Sequence, residues 1–420
     1  MVAAPGRAGP RLNGGRSSVG APGPEVAPAG ADAHLVFTPF RLGPVTLRNR
    51  IVKAATFENM TPGGLVSPEL IEYHRRPAAG GVGMTTVAYC SVSPEGRTFR
   101  DQIWMRPDAV PGLARLAEAV HAEGAAVAVQ LGHAGSFANP RATGGLVLGP
   151  SRAFAPNAMR LCQELTGTDI RRLIDDYATA ARLAADAGVD AVEVHMGHGY
   201  LLSQFLSPAA NRRRDEWGGD VEDRARLPRL VARAIRDEVG DTLAVYAKLN
   251  MDDGFRRGLH VPEAVETARL LEADGTLDAL ELTGGSTSRS PMYLMRGDGM
   301  IDRLADLQRH PVNRLAMKVL ARVGFRDYPF EEAFFLPLAR QFRAALSMPL
   351  VLLGGITRLE TMDRAGAEGF ELVAMARALL REPDLVHKLQ AGASHESLCT
   401  HCNQCVVEME RGGTHCPFAA

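Results

Sequence analysis

The feature that most constrains this chain is a regular alternation. Eight short apolar or β-branched runs, each leading into a longer Ala/Leu/Arg-rich stretch of helical period, are spread over residues 50–376. Strands are expected at 50–55, 83–88, 126–130, 191–195, 244–249, 279–283, 350–354 and 372–376. Helices are expected at 107–123, 169–187, 221–239, 262–273, 328–346 and 357–367, and Gly188, Gly240 and Gly275 stand where three of them should stop. Eight such units fit an α/β fold of one kind, a single (β/α)₈ TIM barrel, better than an open doubly wound sheet. No G-x-G-x-x-G follows the first run, so the dinucleotide-binding fingerprint of the open sheet is missing. Residues 42–47, Leu-Gly-Pro-Val-Thr-Leu, read as a short hairpin plugging the bottom of the barrel, and 285–327 is long for a βα connection, which makes it a lid candidate.

Composition narrows the function classes. There is no apolar run near 18 residues, so no membrane-spanning helix is expected. Lys plus Arg number 47 against 48 for Asp plus Glu, without the long basic run that marks a nucleic-acid tail, so a small-molecule substrate is favoured over nucleic acid or membrane. Residues 1–33 are dominated by Ala, Gly, Pro, Arg, Ser and Val and are expected to be a disordered tail. That tail lacks the apolar stretch of a secretory signal, which makes a cytoplasmic location the default. The expected division is therefore tail 1–33, barrel 34–392 and a Cys-containing extension 393–420. Homo-oligomerisation and a separate redox partner are both compatible with this layout.

In such a barrel the ligand site lies at the C-terminal ends of the strands. The third strand closes on Gln130 and the fifth on Lys248, and either residue could equally be a hydrogen-bonded barrel-layer group. The fourth closes on His195, with His198 and Tyr200 just beyond it, which gathers three proton-handling groups in one patch. Neutral imidazoles can donate to a substrate oxygen and a tyrosine can give a proton to carbon, and a zinc site would need a third ligand that nothing nearby supplies. After strands seven and eight come Gly354-Gly355 and Ala376-Arg377, residue types that cradle a phosphate through backbone N–H groups and a bidentate guanidinium. A phosphorylated ligand is expected, with FMN and a phosphorylated substrate both open at this point.

From about residue 39 to 417 the chain resembles the old yellow enzyme family of NADH:flavin oxidoreductases, including the flavin domains of 2,4-dienoyl-CoA reductase and trimethylamine dehydrogenase. The resemblance is carried by Leu-Arg-Asn-Arg-Ile-Val at 47–52 and Gln-Leu-Gly-His-Ala-Gly at 130–135. Its longest block is His-Met-Gly-His-Gly-Tyr-Leu-Leu-Ser-Gln-Phe-Leu-Ser-Pro at 195–208, followed by Asn211 and Asp-Glu-Trp-Gly-Gly at 215–219. It implies FMN as cofactor and NAD(P)H as reductant. Gln130 would meet the flavin pyrimidine edge, Lys248 would stand beside N1 and O2, and Gly354, Gly355, Ala376 and Arg377 would hold the phosphate. His195 and His198 would bind the activating oxygen of an electron-poor alkene, and Tyr200 would protonate Cα while flavin N5 delivers hydride to Cβ. The first strand departs from the family pattern. Ala55 and Thr56 can contact the ring through backbone, but Phe57 aligns where many relatives carry a small Thr, Ser or Cys.

Four of the six cysteines, Cys399, Cys402, Cys405 and Cys416, crowd the last stretch, which is closer to metal-site usage than to a disulfide scaffold. The set is similar to the [4Fe–4S] segment of trimethylamine dehydrogenase. A structural zinc, a cluster serving a separate redox protein, or unused thiols remain open. Two other readings stand beside the ene-reductase: a Schiff-base or sugar-phosphate barrel using Lys248, and an FMN/iron–sulfur electron-transfer component.

Overall fold

The computed structural model describes residue 1 and residues 34–419, apart from positions 143, 156, 299, 308–313, 316–317, 319–325 and 327. The expected tail at 1–33 and part of the lid candidate therefore lie outside the described residues. Eight parallel strands close into one barrel: β1 (Ile51–Lys53), β2 (Met84–Ser91), β3 (Ala126–Gly132), β4 (Ala191–Met196), β5 (Ala244–Asn250), β6 (Ala279–Thr283), β7 (Leu350–Leu352) and β8 (Leu372–Met375). Each of the eight expected runs is one of these strands, β6 to the residue.

Along a strand alternate residues face opposite sides, and the inward set is visible in the sequence. Ala126, Ala128, Ala191, Ala244 and Ala279 belong to the cluster inside the barrel, and these small side chains leave room for Tyr246, whose hydroxyl lies 3.0 Å from Thr86 Oγ1. The hairpin Phe40–Leu42/Val45–Leu47 closes one end, with Leu42 and Leu47 buried in that same cluster. Removing each of these leucines from water contributes roughly 1.5–3 kcal/mol.

The outward faces pack on a ring of helices that includes α1 (Pro68–Ala79), α2 (Val110–Ala122), α3 (Gly167–Asp186), α4 (Val221–Val239), α5 (Val261–Asp274), α6 (Leu336–Arg343) and α7 (Leu359–Ala367). Local sequence starts them: Ser67 caps α1 by accepting from Leu70 N–H at 3.1 Å, and Thr166 with Asp169 forms a capping box on α3. The expected helix 328–346 is shorter than its periodicity suggests. Residues 331–333 are instead drawn to the turn after β7, where Ala333 N–H donates to Gly355 O and the Glu332 carboxylate accepts from Thr357 N–H and Arg358 N–H.

The register of β2 on β3 shifts between Val87 and Cys90, and the Ala88 N–H is taken by Glu58 Oε1 at 2.8 Å. That bulge ties the loop after β1 to the rim of β2. No described helix is long and apolar enough to cross a membrane.

Candidate active site

At the C-terminal rim the strands surround a cavity of about 480 Å³, a size suited to a cofactor or small ligand. All twelve residues expected to bind cofactor or act on substrate line it: Ala55, Thr56 and Phe57 from the loop after β1, Gln130, His195, His198, Tyr200, Lys248, Gly354, Gly355, Ala376 and Arg377.

Strand register sets the floor. His195 pairs with Lys248 and Lys248 with Glu281 across β4, β5 and β6, while Glu193 pairs with Gln130 and Tyr246. Lys248 Nζ lies 2.9 Å from Glu193 Oε1 and 3.1 Å from Glu281 Oε1, and Gln130 Nε2 donates to Glu193 Oε2 at 2.5 Å. Burial opposes the lysine's charge, but the two carboxylates outweigh it and hold its pKa above the ordinary lysine value. A Schiff base needs a neutral amine, so this environment disfavours the imine reading.

The three groups after β4 converge. The His195 and His198 rings are 5.0 Å apart between centroids and nearly perpendicular, and the Tyr200 ring is 5.0 Å from His195. Burial drives the His195 pKa well below its usual value and that of His198 down to about 3, with each other's charge and that of Lys248 adding to the effect on His195. Both imidazoles are therefore neutral at physiological pH. The hydrogen bond to His195 assigns its tautomer. His195 Nδ1 accepts from Gly197 N–H at 3.3 Å, leaving Nε2 as the N–H donor. His198 Nε2 lies 2.9 Å from Thr283 Oγ1, a contact in which either the hydroxyl or the imidazole can donate. His198 sits at φ 60° and is held by Asn250 Oδ1, which accepts its backbone N–H at 3.0 Å. Burial lifts the Tyr200 phenol to about 12, so it stays protonated.

The turn after β7 has a backbone that only glycine tolerates. Gly354 and Gly355 adopt φ of 111° and 73°, and an added Cβ would come within 2.6 Å of Phe335 and 2.7 Å of Phe334. Across the cavity, Ala376 precedes a short helix, α8 (Arg377–Arg381). Among the described residues the backbone N–H groups of Gly355 and Arg377 meet no acceptor, which is the condition for an anion cradle. The Arg377 guanidinium is partly committed elsewhere, since Nη1 donates to Arg296 O at 2.7 Å and Asn403 Oδ1 at 2.6 Å.

Phe57 stacks on Phe99 with centroids 4.7 Å apart, while Thr56 Oγ1 donates to the Ala54 carbonyl at 3.1 Å. Both residues face the cavity.

Several parts of the site were not anticipated. Glu193 and Glu281 flank Lys248, Thr283 and Asn250 orient His198, and the C-terminal segment builds a wall. Thr414 Oγ1 donates to Phe57 O at 2.6 Å, Thr414 N–H to Glu58 O at 2.8 Å, and Asn59 Nδ2 to Met409 O at 2.8 Å. Of the four C-terminal cysteines only Cys405 reaches the cavity. The four are free thiols, and among the described residues no group of three or more His, Cys, Asp or Glu side chains is gathered closely enough to hold a metal ion. The expected ligand set Cys399, Cys402, Cys405 and Cys416 is thus not assembled in this arrangement. Contacts of Thr414 and Met409 with the rim position this stretch.

A barrel with a cofactor-sized rim cavity, a glycine cradle and a neutral histidine pair has the parts of a site for a phosphorylated cofactor or substrate. Residues 35–281 match the NADH:flavin oxidoreductase / NADH oxidase family, and the chain belongs to that family. It is 51% identical over 381 residues to the 4,4'-dithiodibutanoate disulfide reductase of Rhodococcus erythropolis, covering 91% of this chain and 94% of that protein. It is also 31% identical to a metal reductase of Desulforamulus reducens, covering 88% of this chain but 51% of that protein, so the chain spans about half the length of this longer relative. Among solved structures, a 2-naphthoyl-CoA reductase in complex with 2-naphthoyl-CoA superposes with a TM-score of 0.78 at 27% identity, covering 92% of this chain and 57% of that one. The chain is an enzyme of the oxidoreductase class.

Proposed function

We propose that this chain is an FMN-dependent NAD(P)H oxidoreductase that passes hydride to an electron-poor alkene. The observation that carries this reading is the neutral His195/His198 pair, each imidazole carrying one N–H, beside a Tyr200 phenol that keeps its proton.

The residues present fit the flavin. The amides after Gly354 and Ala376 suit a phosphate, Gln130 and Lys248 suit the polar ring edge, and the backbone of Ala55 and Thr56 with the Phe57 ring suits its apolar side. Bound FMN would supply hydride transfer, taking hydride from NAD(P)H and giving it to the alkene. The chain's own work is to hold the activating oxygen on two N–H donors, withdrawing electron density from the double bond, and to place the Tyr200 proton near the neighbouring carbon. Because Thr283 holds the His198 ring through its Nε2, Thr283→Val should weaken binding of a phenol, which mimics that oxygen. About 1 kcal/mol, or roughly fivefold, is expected. Calorimetric titration of the flavin-loaded protein reads it, and unchanged affinity would remove His198 from the oxygen site.

A second reading, reduction of an organic disulfide, is favoured by the 51% identical relative, which matches nearly end to end. There Tyr200 would protonate the departing thiolate, and one NAD(P)H with one proton would give two thiols.

Anaerobic absorption spectra test both. Flavin bands should bleach with NADH or NADPH and return on adding either an enone or 4,4'-dithiodibutanoate, and the acceptor that restores them faster names the class. An iron and sulfide assay on the same anaerobic sample tests the C-terminal thiols as a [4Fe–4S] site. A colourless protein that takes up no added FMN would sink the flavin reading.

A further inference from the structure

We propose that Gln204 positions Tyr200 for proton transfer, by clamping the turn that carries the tyrosine to the loop after β3. This inference rests on the reading of Tyr200 as the proton donor.

The turn needs a clamp. Tyr200 follows two residues in the left-handed region, His198 at φ 60° and Gly199 at φ 75°, and then caps the short helix Leu201–Leu206. A residue other than glycine in that region is strained, and it persists only where its surroundings over-determine it. Gln204 lies one helical turn beyond Tyr200, its backbone N–H donating to Tyr200 O at 2.7 Å, and the residue is only 4% exposed. Its carboxamide makes three further bonds, all to backbone. Nε2 donates to Gly199 O at 2.7 Å and to Ala134 O at 3.0 Å, while Oε1 accepts from Ser136 N–H at 3.0 Å. Both amide protons are thereby used. Among the described residues neither Gly199 O nor Ser136 N–H has another partner.

One side chain thus joins the carbonyl just before Tyr200 to residues 134–136. That loop also carries Phe137, whose ring packs on Tyr200 with centroids 6.0 Å apart and whose N–H donates to the same Ala134 carbonyl at 3.1 Å. The backbone of the tyrosine and one wall around its ring are therefore fixed by the same carboxamide. A backbone bond from Leu201 N–H to His133 O, 2.8 Å long, joins the two loops as well, but it lies on the far side of the tyrosine from the left-handed turn.

The histidines are anchored elsewhere. His195 belongs to β4 itself. His198 is held by Asn250 Oδ1 on its N–H at 3.0 Å, by Thr283 on its ring, and by Thr287 N–H on its carbonyl at 3.0 Å. Loss of the Gln204 carboxamide should therefore displace Tyr200 and leave the oxygen-binding pair in place. A reacting group misplaced by about 1 Å loses on the order of a hundredfold in rate.

The test is a double-mutant cycle of Gln204→Leu with Tyr200→Phe, read by stopped flow in both half-reactions of the flavin-loaded protein. Leucine fills much of the same space and removes all three carboxamide bonds. Enone reoxidation should slow roughly 10²-fold, with flavin bleaching by NAD(P)H and phenol affinity each within about threefold of wild type. In the Tyr200→Phe background the same change should add less than about threefold, because no proton donor is left to position. Gln204→Glu keeps the acceptor for Ser136 N–H but, while ionised, donates nothing to Gly199 O or Ala134 O, and should resemble Gln204→Leu. Reoxidation at the wild-type rate in Gln204→Leu overturns the proposal, as do losses that multiply in the double variant, and as does equal loss in both half-reactions or in phenol affinity. If Gln204→Leu does not fold, the same cycle run with Gln204→Glu decides. A Tyr200→Phe protein that is reoxidised as fast as wild type would overturn the proton-donor reading itself, a distinguishable outcome.

Discussion

Tyr200→Phe should leave bleaching of the flavin by NAD(P)H within about twofold of wild type while slowing reoxidation by an enone roughly 10²- to 10⁴-fold. The asymmetry follows from where protons are needed. Hydride transfer to the flavin asks nothing of the phenol, whereas saturating the alkene requires a proton on the carbon beside the activating group. Tyr200 is half-buried, kept protonated, and packed against His195, Tyr89 and Phe137 with ring centroids 5.0, 5.1 and 6.0 Å away. Phenylalanine preserves this packing, so the substitution removes the proton and little else. Stopped-flow traces of the two half-reactions separate the effects. Equal slowing of both would mean that Tyr200 shapes the cavity and supplies no proton. With 4,4'-dithiodibutanoate as oxidant, a smaller effect is expected, because a thiolate leaving group can depart before it is protonated.

What sequence could and could not give divides along the range of the interactions. The eight strands were legible because each is a local apolar run, and their inward alanines repeat with a period of two. Gln130 and Lys248 stood out as polar residues closing such runs. Glu193 and Glu281 lie on the same inward phase, two residues before His195 and Thr283, so extending the period-two pattern inward from the strand ends would have found them. The helix expected at 328–346 begins only at Leu336, because the glycine turn after β7 claims Ala333 and Glu332 through bonds to Gly355 and Thr357 that no local pattern announces. Likewise the C-terminal segment read as a string of metal ligands. Its described role, walling the cavity through Thr414 on Phe57 and Glu58, depends on partners some 350 residues away in the chain. The stacking partner of Phe57, the ring of Phe99, is likewise a non-local contact.

Lys248→Met should cost about 3–5 kcal/mol of stability at pH 8 and distinctly less at pH 5, because it leaves two buried carboxylates without their cation. Methionine keeps much of the stem's length and apolar packing, so the loss reports the charge. The sign of the pH dependence is fixed by linkage. In the wild type the lysine's pKa is raised in the folded protein, so its stabilisation is fully present below the unfolded value near 10.5 and is lost only as pH climbs through the raised value. Without the lysine, the charge that opposes burial at Glu281 is gone, so the Glu281 pKa, already raised in the folded barrel, rises further above the unfolded value of roughly 4.3; stability is retained below that pH and is lost as pH rises toward the folded value. Each retained proton adds a slope of up to about 1.4 kcal/mol per pH unit. Urea denaturation of the flavin-free variant at pH 5 and pH 8 reads the difference. A loss of equal size at both pH values would show that the lysine contributes packing alone, and would remove the electrostatic basis on which the floor of this site has been described.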